Sequence, residues 1–354
     1  MKAWRIEKHG GPEVLERKEV PDLKPGPMQA RVRVEAVGLN HLDLWVRNGV
    51  PGHKFPLPIT PGCDIAGVVE ELGAVDDSTL GSLKAQGLGP GASVIVNPGT
   101  SCGRCEACLG GNDPLCPHYG ILGETRDGGC ADFINVPLAN LIQRPANLTA
   151  IQAAGLPIPF LTAWTMLMRK TLIKPGETAL IQAGGSGVSM AAIQIAKMAG
   201  AQVITTVGSD EKIAHAKSLG ADHVINYKKS AFRDEVRKIL SAQGKKGVEV
   251  AIEHVGADTF TDTLKCLAWG GRLATCGATA GSEVKIDLKL IFFKNISILG
   301  TTMGSKADLI RIVQLTSHGK LKPLIDSTLS MAKYPEACTR LESRLAFGRV
   351  VVTH

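Results

Sequence analysis

From Glu177 onward the chain alternates short β-branched runs with longer amphipathic stretches, at 178–182, 188–199, 202–206, 210–219, 223–226, 230–243, 248–253 and 272–276. Strand and helix periods in regular succession specify a parallel sheet covered by helices on both faces. A later helix is expected over 306–319, followed by a short strand at 328–330 and a terminal strand at 349–353.

The first 150 residues have another texture. They are rich in Gly and Pro, with β-branched runs at 30–37, 65–71 and 93–97 separated by turn clusters, which specifies a mainly β domain. Residues 76–91 read as a long polar surface insertion in it. A length of 354 residues suits about two domains, and 44% hydrophobic content is ample for buried cores. The fold class is therefore α/β: a β-rich domain followed by a doubly wound parallel-sheet domain. No apolar run approaches the roughly 18 residues of a membrane span, so no membrane partner is expected. The net charge of +7 is spread along the chain, with Lys228-Lys229 and Lys245-Lys246 the adjacent lysine pairs. With aromatics at only 4%, this suits an anionic small ligand better than nucleic acid.

Four of the nine cysteines, Cys102, Cys105, Cys108 and Cys116, fall at C-x2-C-x2-C-x7-C. Four thiolates can fill the tetrahedral positions of one structural Zn²⁺, with Gly103, Gly110, Gly111 and Pro114 letting the loop curl around it. That closure leaves no coordination position for substrate. Two disulfides suit small secreted domains, whereas this chain is long, has an odd cysteine total and shows no charged-then-apolar signal at 1–20. A cytoplasmic location is expected. An iron–sulfur cluster is compatible with the same spacing.

The run 178–182 leads into Ala183-Gly184-Gly185-Ser186-Gly187-Val188-Ser189 and then a helix. Small residues let a diphosphate approach the backbone, and the helix N-terminus offers unpaired N–H groups and partial positive charge. Gly184, Gly185, Ser186, Gly187 and Val188 are thus candidate cofactor contacts. The G-x-G-x-x-G pattern is not intact, because Ser189 stands at its last position. The following strand ends at Val207-Gly208-Ser209, where an NAD site places an acid to receive the ribose hydroxyls. Asp210 and Glu211 come later and read as first-turn helix residues. Without that carboxylate a 2′-phosphate is not repelled, and Ser209, Lys212 and Tyr227 become candidates to hold it. NADP(H) is favoured over NAD(H) on this charge argument.

These residues resemble the medium-chain dehydrogenase/reductase superfamily, which includes zinc alcohol dehydrogenases and quinone oxidoreductases. The cysteine lobe (97–118), Ala191-Ala192-Ile193-Gln194-Ile195-Ala196-Lys197, Leu219-Gly220-Ala221-Asp222-His223-Val224-Ile225-Asn226-Tyr227 and Gly270-Gly271-Arg272 carry the resemblance over almost the whole chain. It implies a GroES-like substrate domain over 1–155 and a Rossmann domain over 156–300. A segment over 301–354 would complete the Rossmann sheet edge and return to the first domain. Gly208, Ser209, Lys212 and Tyr227 match the NADPH-dependent quinone reductases of the family, and the resemblance adds Thr162, Val255 and Gly277 to the cofactor site. It also implies a homodimer formed through Rossmann edge strands, with 296–301 as the candidate edge.

The informative departures are at the family's catalytic zinc. Asn40 stands where the first Cys is expected, Gly62-Cys63-Asp64 replaces Gly-His-Glu, and Ile158 falls at the next ligand. A catalytic zinc needs about three protein ligands and an open position, so three mismatches argue for its loss. His41, Asp43, Cys63 and Asp64 are ligand types that an altered site would use. On an extended segment His41 and Asp43 would share a face, or Asp43 would cap a helix over 44–47. His41 reads first as a hydrogen-bonded structural histidine and Cys63 as a small buried apolar residue.

A nicotinamide site without metal suits hydride addition to an activated C=C bond or a quinone. In similar zinc-free reductases the residue corresponding to Asn40 lies by the nicotinamide and ribose, which makes Asn40 both a catalytic and a cofactor-binding candidate, beside His41 and Asp43. The Tyr that relatives use as proton donor is missing from 48–55, leaving His53, His41 or water. The expectation is an NADPH-dependent quinone, enoyl or 2-alkenal reductase with one structural zinc per chain. The alternatives are an alcohol dehydrogenase with an altered metal site, or a crystallin-like cofactor binder without turnover.

Overall fold

The ten-residue strand Gln29–Gly38 organises the first of the two large sheets in this computed structural model, which describes residues 1–22 and 24–354. Along one side it pairs antiparallel with Asp64–Leu72. Along the other it pairs first with Phe133–Pro137 and then, at its carboxyl end, with the terminal strand Arg349–Thr353. The seven-stranded sheet is completed by Ser93–Val96, Leu141–Gln143 and Ile325–Ser330. Its core includes Ile6, Val32, Val34, Ile59, Ile65, Val96, Val350 and Val352. Gly38 faces Asp64 on one flank and Val351 on the other. A Cβ there would lie 2.1 Å from Ala154 O, at the end of the helix Ala150–Ala154, and 2.8 Å from Arg349 Nη2, so only glycine lets that helix and the Arg349 side chain pack against the strand at this point.

This sheet belongs to a unit formed by Met1–Ile158 and Ser305–His354; Pro159–Gly304 form a second unit. The second unit holds a six-stranded sheet in the order His223–Asn226, Gln202–Val207, Thr178–Ile181, Val248–Glu253, Leu267–Thr275, Ser297–Gly300, with every pairing parallel. That is the 3-2-1-4-5-6 order of a doubly wound Rossmann sheet, and its parallel pairing is what the alternation from Glu177 specifies. Leu180, Ile204, Ile225, Val248, Ala251 and Leu273 form its core.

Residues 76–91 lie mostly at the surface and carry the helix Asp77–Ala85, capped by Asp76, which accepts from Thr79 N at 2.7 Å. One expectation is corrected. The segment after residue 301 adds no strand to the parallel sheet, whose edge is Ser297–Gly300. Its strands Ile325–Ser330 and Arg349–Thr353 pair with each other, and the second joins the seven-stranded sheet through Gln29–Gly38.

Candidate functional site

Asn40 leaves the strand Gln29–Gly38 with extended backbone (φ −128°, ψ 159°) and occupies the N-cap of the helix His41–Asn48. Its N–H donates to Asp43 Oδ2 at 2.7 Å, so the acid three residues on satisfies the cap backbone. This overturns both local expectations for the segment. It is helical from His41, not extended, and Asp43 sits in its first turn rather than capping 44–47. His41 and Asp43, two apart on a helix, diverge by about 200° and share no face.

The other oxygen of Asp43 accepts from Gly62 N at 2.9 Å. Gly62 has φ +101°, and a Cβ there would lie 2.7 Å from Cys130 Sγ, so the turn into Cys63 requires glycine. Asp43 is buried and burial pushes its carboxyl up to about 6, against the pull of the two N–H donors. Cys63 is fully buried, and burial, with Asp43 and Asp64 nearby, holds its thiol well above the usual range.

Asp64 has no exposed surface and stands at the centre of a polar cluster. Its Oδ2 accepts from Arg349 Nη2 at 2.6 Å and from Asn40 Nδ2 at 3.0 Å, and its Oδ1 from Ile158 N at 2.9 Å. Arg349 Nη1 donates to Asn40 Oδ1 at 2.9 Å. Burial raises the Asp64 carboxyl to about 6 although Arg349 and Asn40 favour its charge. Three of the four positions that depart from a zinc-ligand pattern, Asn40, Asp64 and Ile158, are thus tied together around Arg349. Both ends of the Asn40 amide are engaged within this cluster.

His41 is half-buried and makes no hydrogen bond among the described residues. The hydrogen-bonded structural role expected for it is not what the structure gives. Burial, then Arg344 and Arg349, lower its pKa, which favours the neutral imidazole. His53 is exposed, its ring centroid 4.5 Å from that of Phe55.

In the second unit the turn after Thr178–Ile181 opens at Ala183, whose φ of +53° is left-handed. A Cβ on Gly184 would lie 2.5 Å from Thr205 Oγ1, so the backbone passes as close to its neighbour strand as glycine allows. Ser186 caps the helix Gly187–Met198, accepting from Ser189 N at 3.1 Å. Ser189 Oγ donates to Gln182 O at 2.6 Å. With that proton committed, Ser189 accepts from His254 Nε2 at 2.8 Å, and Ser186 Oγ lies 3.2 Å from the same nitrogen. The serine at the pattern's last position is therefore built in.

At the end of Gln202–Val207, a Cβ on Gly208 would lie 2.7 Å from Tyr227 Oη, and the Tyr227 side chain is half exposed. Ser209 Oγ is buried with no hydrogen-bond partner. An orphaned hydroxyl beside an exposed phenol is what a ligand group would complete. Asp210 sits just before the helix Glu211–Ser218 without capping it. Its carboxylate accepts from Asn226 Nδ2 at 2.7 Å and pairs with Lys229, both of which lower its pKa. Lys212 lies in the first turn of that helix. Val255 follows the strand Val248–Glu253, Gly277 follows Leu267–Thr275, and Thr162 is buried in the helix Pro157–Trp164. The residues fit a dinucleotide in these respects.

The four lobe cysteines converge, with all four sulfurs within 4.8 Å of one another. Cys105 and Cys108 Sγ are 3.5 Å apart and Cys102 and Cys108 Sγ 4.0 Å. A tetrahedron with ligands about 2.3 Å from its centre has edges of about 3.8 Å, so the set fits one zinc. The N–H groups of Cys102 and His118 point to Cys116 Sγ at 3.5 and 3.4 Å, and those of Arg104 and Cys105 hold the Cys102 thiol low, at about 6. Among the described residues no other group of His, Cys, Asp and Glu has metal-holding spacing.

Sequence reasoning missed Arg349, Gln182, Glu253 and His254. A charged residue opening the apolar run Arg349–Thr353 was the visible signal for the first; the others carried none.

Residues 26–146 match the alcohol dehydrogenase GroES-like domain and residues 187–318 the zinc-binding dehydrogenase domain. The chain is 32% identical to an NAD-dependent alcohol dehydrogenase of Saccharolobus solfataricus, over 99% of each chain. It is 31% identical to an acryloyl-coenzyme A reductase of Sulfurisphaera tokodaii, over 94% of this chain and 95% of that one. A crystal structure of an NAD-dependent alcohol dehydrogenase, 45% identical, superposes over all of both chains with a TM-score of 0.93.

Proposed function

The chain belongs to the medium-chain dehydrogenase/reductase superfamily of NAD(P)-dependent oxidoreductases, and from that premise we propose that it reduces an activated C=C bond or a quinone with NADPH, using no catalytic metal. The observation that carries this reading is the engagement of Asn40 and Asp64 by Arg349. A zinc ligand must offer a free lone pair or a deprotonated sulfur. The Asn40 amide is saturated, Asp64 is held by three donors, and Cys63 is a thiol that burial keeps protonated.

The bound dinucleotide would supply the hydride. The turn from Ala183 and the N-terminus of Gly187–Met198 would hold its pyrophosphate, and Ser209, Lys212 and Tyr227 its 2′-phosphate. Hydride addition to an enone or enoyl thioester moves an electron pair onto the carbonyl oxygen, and the α-carbon then takes a proton. His41, neutral and unpartnered, is the side chain suited to donating a hydrogen bond or relaying that proton. Asn40 and Asp43 serve as positioning residues that fix the first turn from which His41 projects. Cys102, Cys105, Cys108 and Cys116 would hold one zinc that shapes the lobe and leaves substrate untouched.

A homodimer through the edge strand Ser297–Gly300 belongs to the same reading. Ile298 on that strand and Phe292 and Phe293 on the preceding helix, 59% and 61% exposed, form an apolar edge that a second copy would cover.

Assays of the purified protein with NADPH against enals, enoyl thioesters and quinones test the proposal. Turnover there without alcohol oxidation supports it. The relatives named as alcohol dehydrogenases favour a second reading, oxidation of an alcohol with NAD at an altered metal site. Two tightly held zinc ions per chain, with alcohol oxidation lost on removal of one and on Cys63→Ala, would establish that reading instead.

A further inference from the structure

Glu253 ends the strand Val248–Glu253 with no exposed surface, and four donors converge on its carboxylate. Val255 N and Gly256 N donate to Oε1 at 2.6 and 3.1 Å. Thr259 Oγ1 and Thr263 Oγ1 donate to Oε2 at 2.8 and 3.1 Å. The network does not stop there. Gln182 Nε2 donates to Thr263 Oγ1 at 2.9 Å, Thr206 Oγ1 donates to Gln182 Oε1 at 2.7 Å, and Ala183 N donates to Thr206 Oγ1 at 3.0 Å. Gln182, Thr206 and Thr263 are all buried, so water does not substitute for any link.

The direction of the chain follows from its end. A carboxylate only accepts, so the single proton of Thr263 is committed to Glu253 and its oxygen must accept from the Gln182 amide nitrogen. That orients the amide oxygen toward Thr206. Thr206 then spends its proton on Gln182 and presents a lone pair to Ala183 N–H. Ala183 is the left-handed residue at the start of the pyrophosphate turn, a conformation that a residue with a Cβ keeps only when held. The two turns joined in this way follow adjacent strands, Thr178–Ile181 and Val248–Glu253, where the strand order reverses and open α/β sheets bind their ligands.

We propose that Glu253 is a positioning residue for dinucleotide binding, its charge setting the direction of a buried relay through Thr263, Gln182 and Thr206 that holds Ala183 and links the two turns. The inference rests on reading this unit as a dinucleotide-binding fold. An amide at position 253 would bring a donor against four donors, and the relay would reverse or break.

The test uses the full chain, as wild type, Glu253→Gln, Thr206→Val and the double variant, titrated with NADPH and NADH by fluorescence, with urea unfolding alongside. Each single change is expected to weaken the dinucleotide about tenfold, the loss falling on its KM more than on kcat. The double variant should bind no more weakly than the worse single, because both cut one relay. Unchanged affinity with only a shifted unfolding midpoint, or independent losses that multiply to about a hundredfold in the double variant, would overturn the proposal. Where Glu253→Gln does not fold, Thr206→Val decides alone, since wild-type affinity in that variant removes the relay. A wild-type protein that binds neither dinucleotide overturns the cofactor reading itself, and the proposal with it.

Discussion

Arg349 Nη2 donates to Asp64 Oδ2 at 2.6 Å, joining two residues 285 positions apart in a pair with almost no solvent access. Removing one member of a buried pair leaves a charge that neither water nor a neighbour can stabilise. Arg349→Met is therefore expected to cost about 3–5 kcal/mol of unfolding free energy. Asp64→Asn combined with Arg349→Met should recover much of that loss, because the orphaned charge is gone. Urea unfolding of the two single variants and the double variant measures the coupling. Additive losses would show that the pair is not a unit.

The cysteine lobe makes a separate prediction. Metal analysis should find one zinc per chain, and Cys105→Ser with Cys108→Ser should abolish it. The lobe would then be cut by protease near residues 97–118 at concentrations that spare the wild type, because sulfurs 3.5–4.0 Å apart need the ion to hold them together. The cofactor-binding unit should retain dinucleotide affinity in that variant. Loss of affinity together with the zinc would contradict a purely structural metal.

The parallel sheet was legible because its signal is local. Each strand and helix carries its own period, so the alternation that begins at Glu177 specifies a parallel sheet covered by helices, while the spatial order of its six strands is seen only in the assembled sheet. The lobe was legible because its four ligands lie within fifteen residues. The Asn40 cluster was only half legible. The pattern Asn40-His41-Leu42-Asp43 holds an N-cap residue and an acid three positions later, a signal that starts the helix at His41 rather than after a cap at Asp43. Arg349 reaches Asp64 through strand pairing across Gly38, and nothing in the local sequence of either residue encodes that meeting. Glu253, Thr263, Gln182 and Thr206 come from separate elements, so their relay exists only once the sheet is assembled.

Cofactor choice turns on the end of the strand Gln202–Val207. Ser209 Oγ is buried without a partner, and Asp210 is already occupied by Asn226 and Lys229. Ser209→Asp would place a carboxylate where a 2′-phosphate is expected, and should weaken NADPH about tenfold or more while leaving NADH within a few fold. Lys212→Glu should act in the same direction. Parallel titrations with the two dinucleotides measure the ratio. Equal losses for both would refute the phosphate contact and move the preference to NAD(H), in line with the relatives that bear that name.

Asp43 predicts how stability depends on pH. Its carboxyl is pushed up to about 6 in the folded chain, from 3.8 for the free group. The folded state therefore keeps a proton that the unfolded chain has released, and stability depends on that difference. The contribution is fully present below about pH 4, declines as pH rises through about 6, and is absent above it. Asp43→Asn removes the titration and should flatten the unfolding free energy between pH 4 and 6. The substitution also replaces one acceptor with a donor facing Asn40 N or Gly62 N, at a cost of about 1–3 kcal/mol at every pH. Its unfolding curve should thus lie below that of the wild type and run flatter across this window. A variant curve parallel to the wild type would show that other groups carry the dependence.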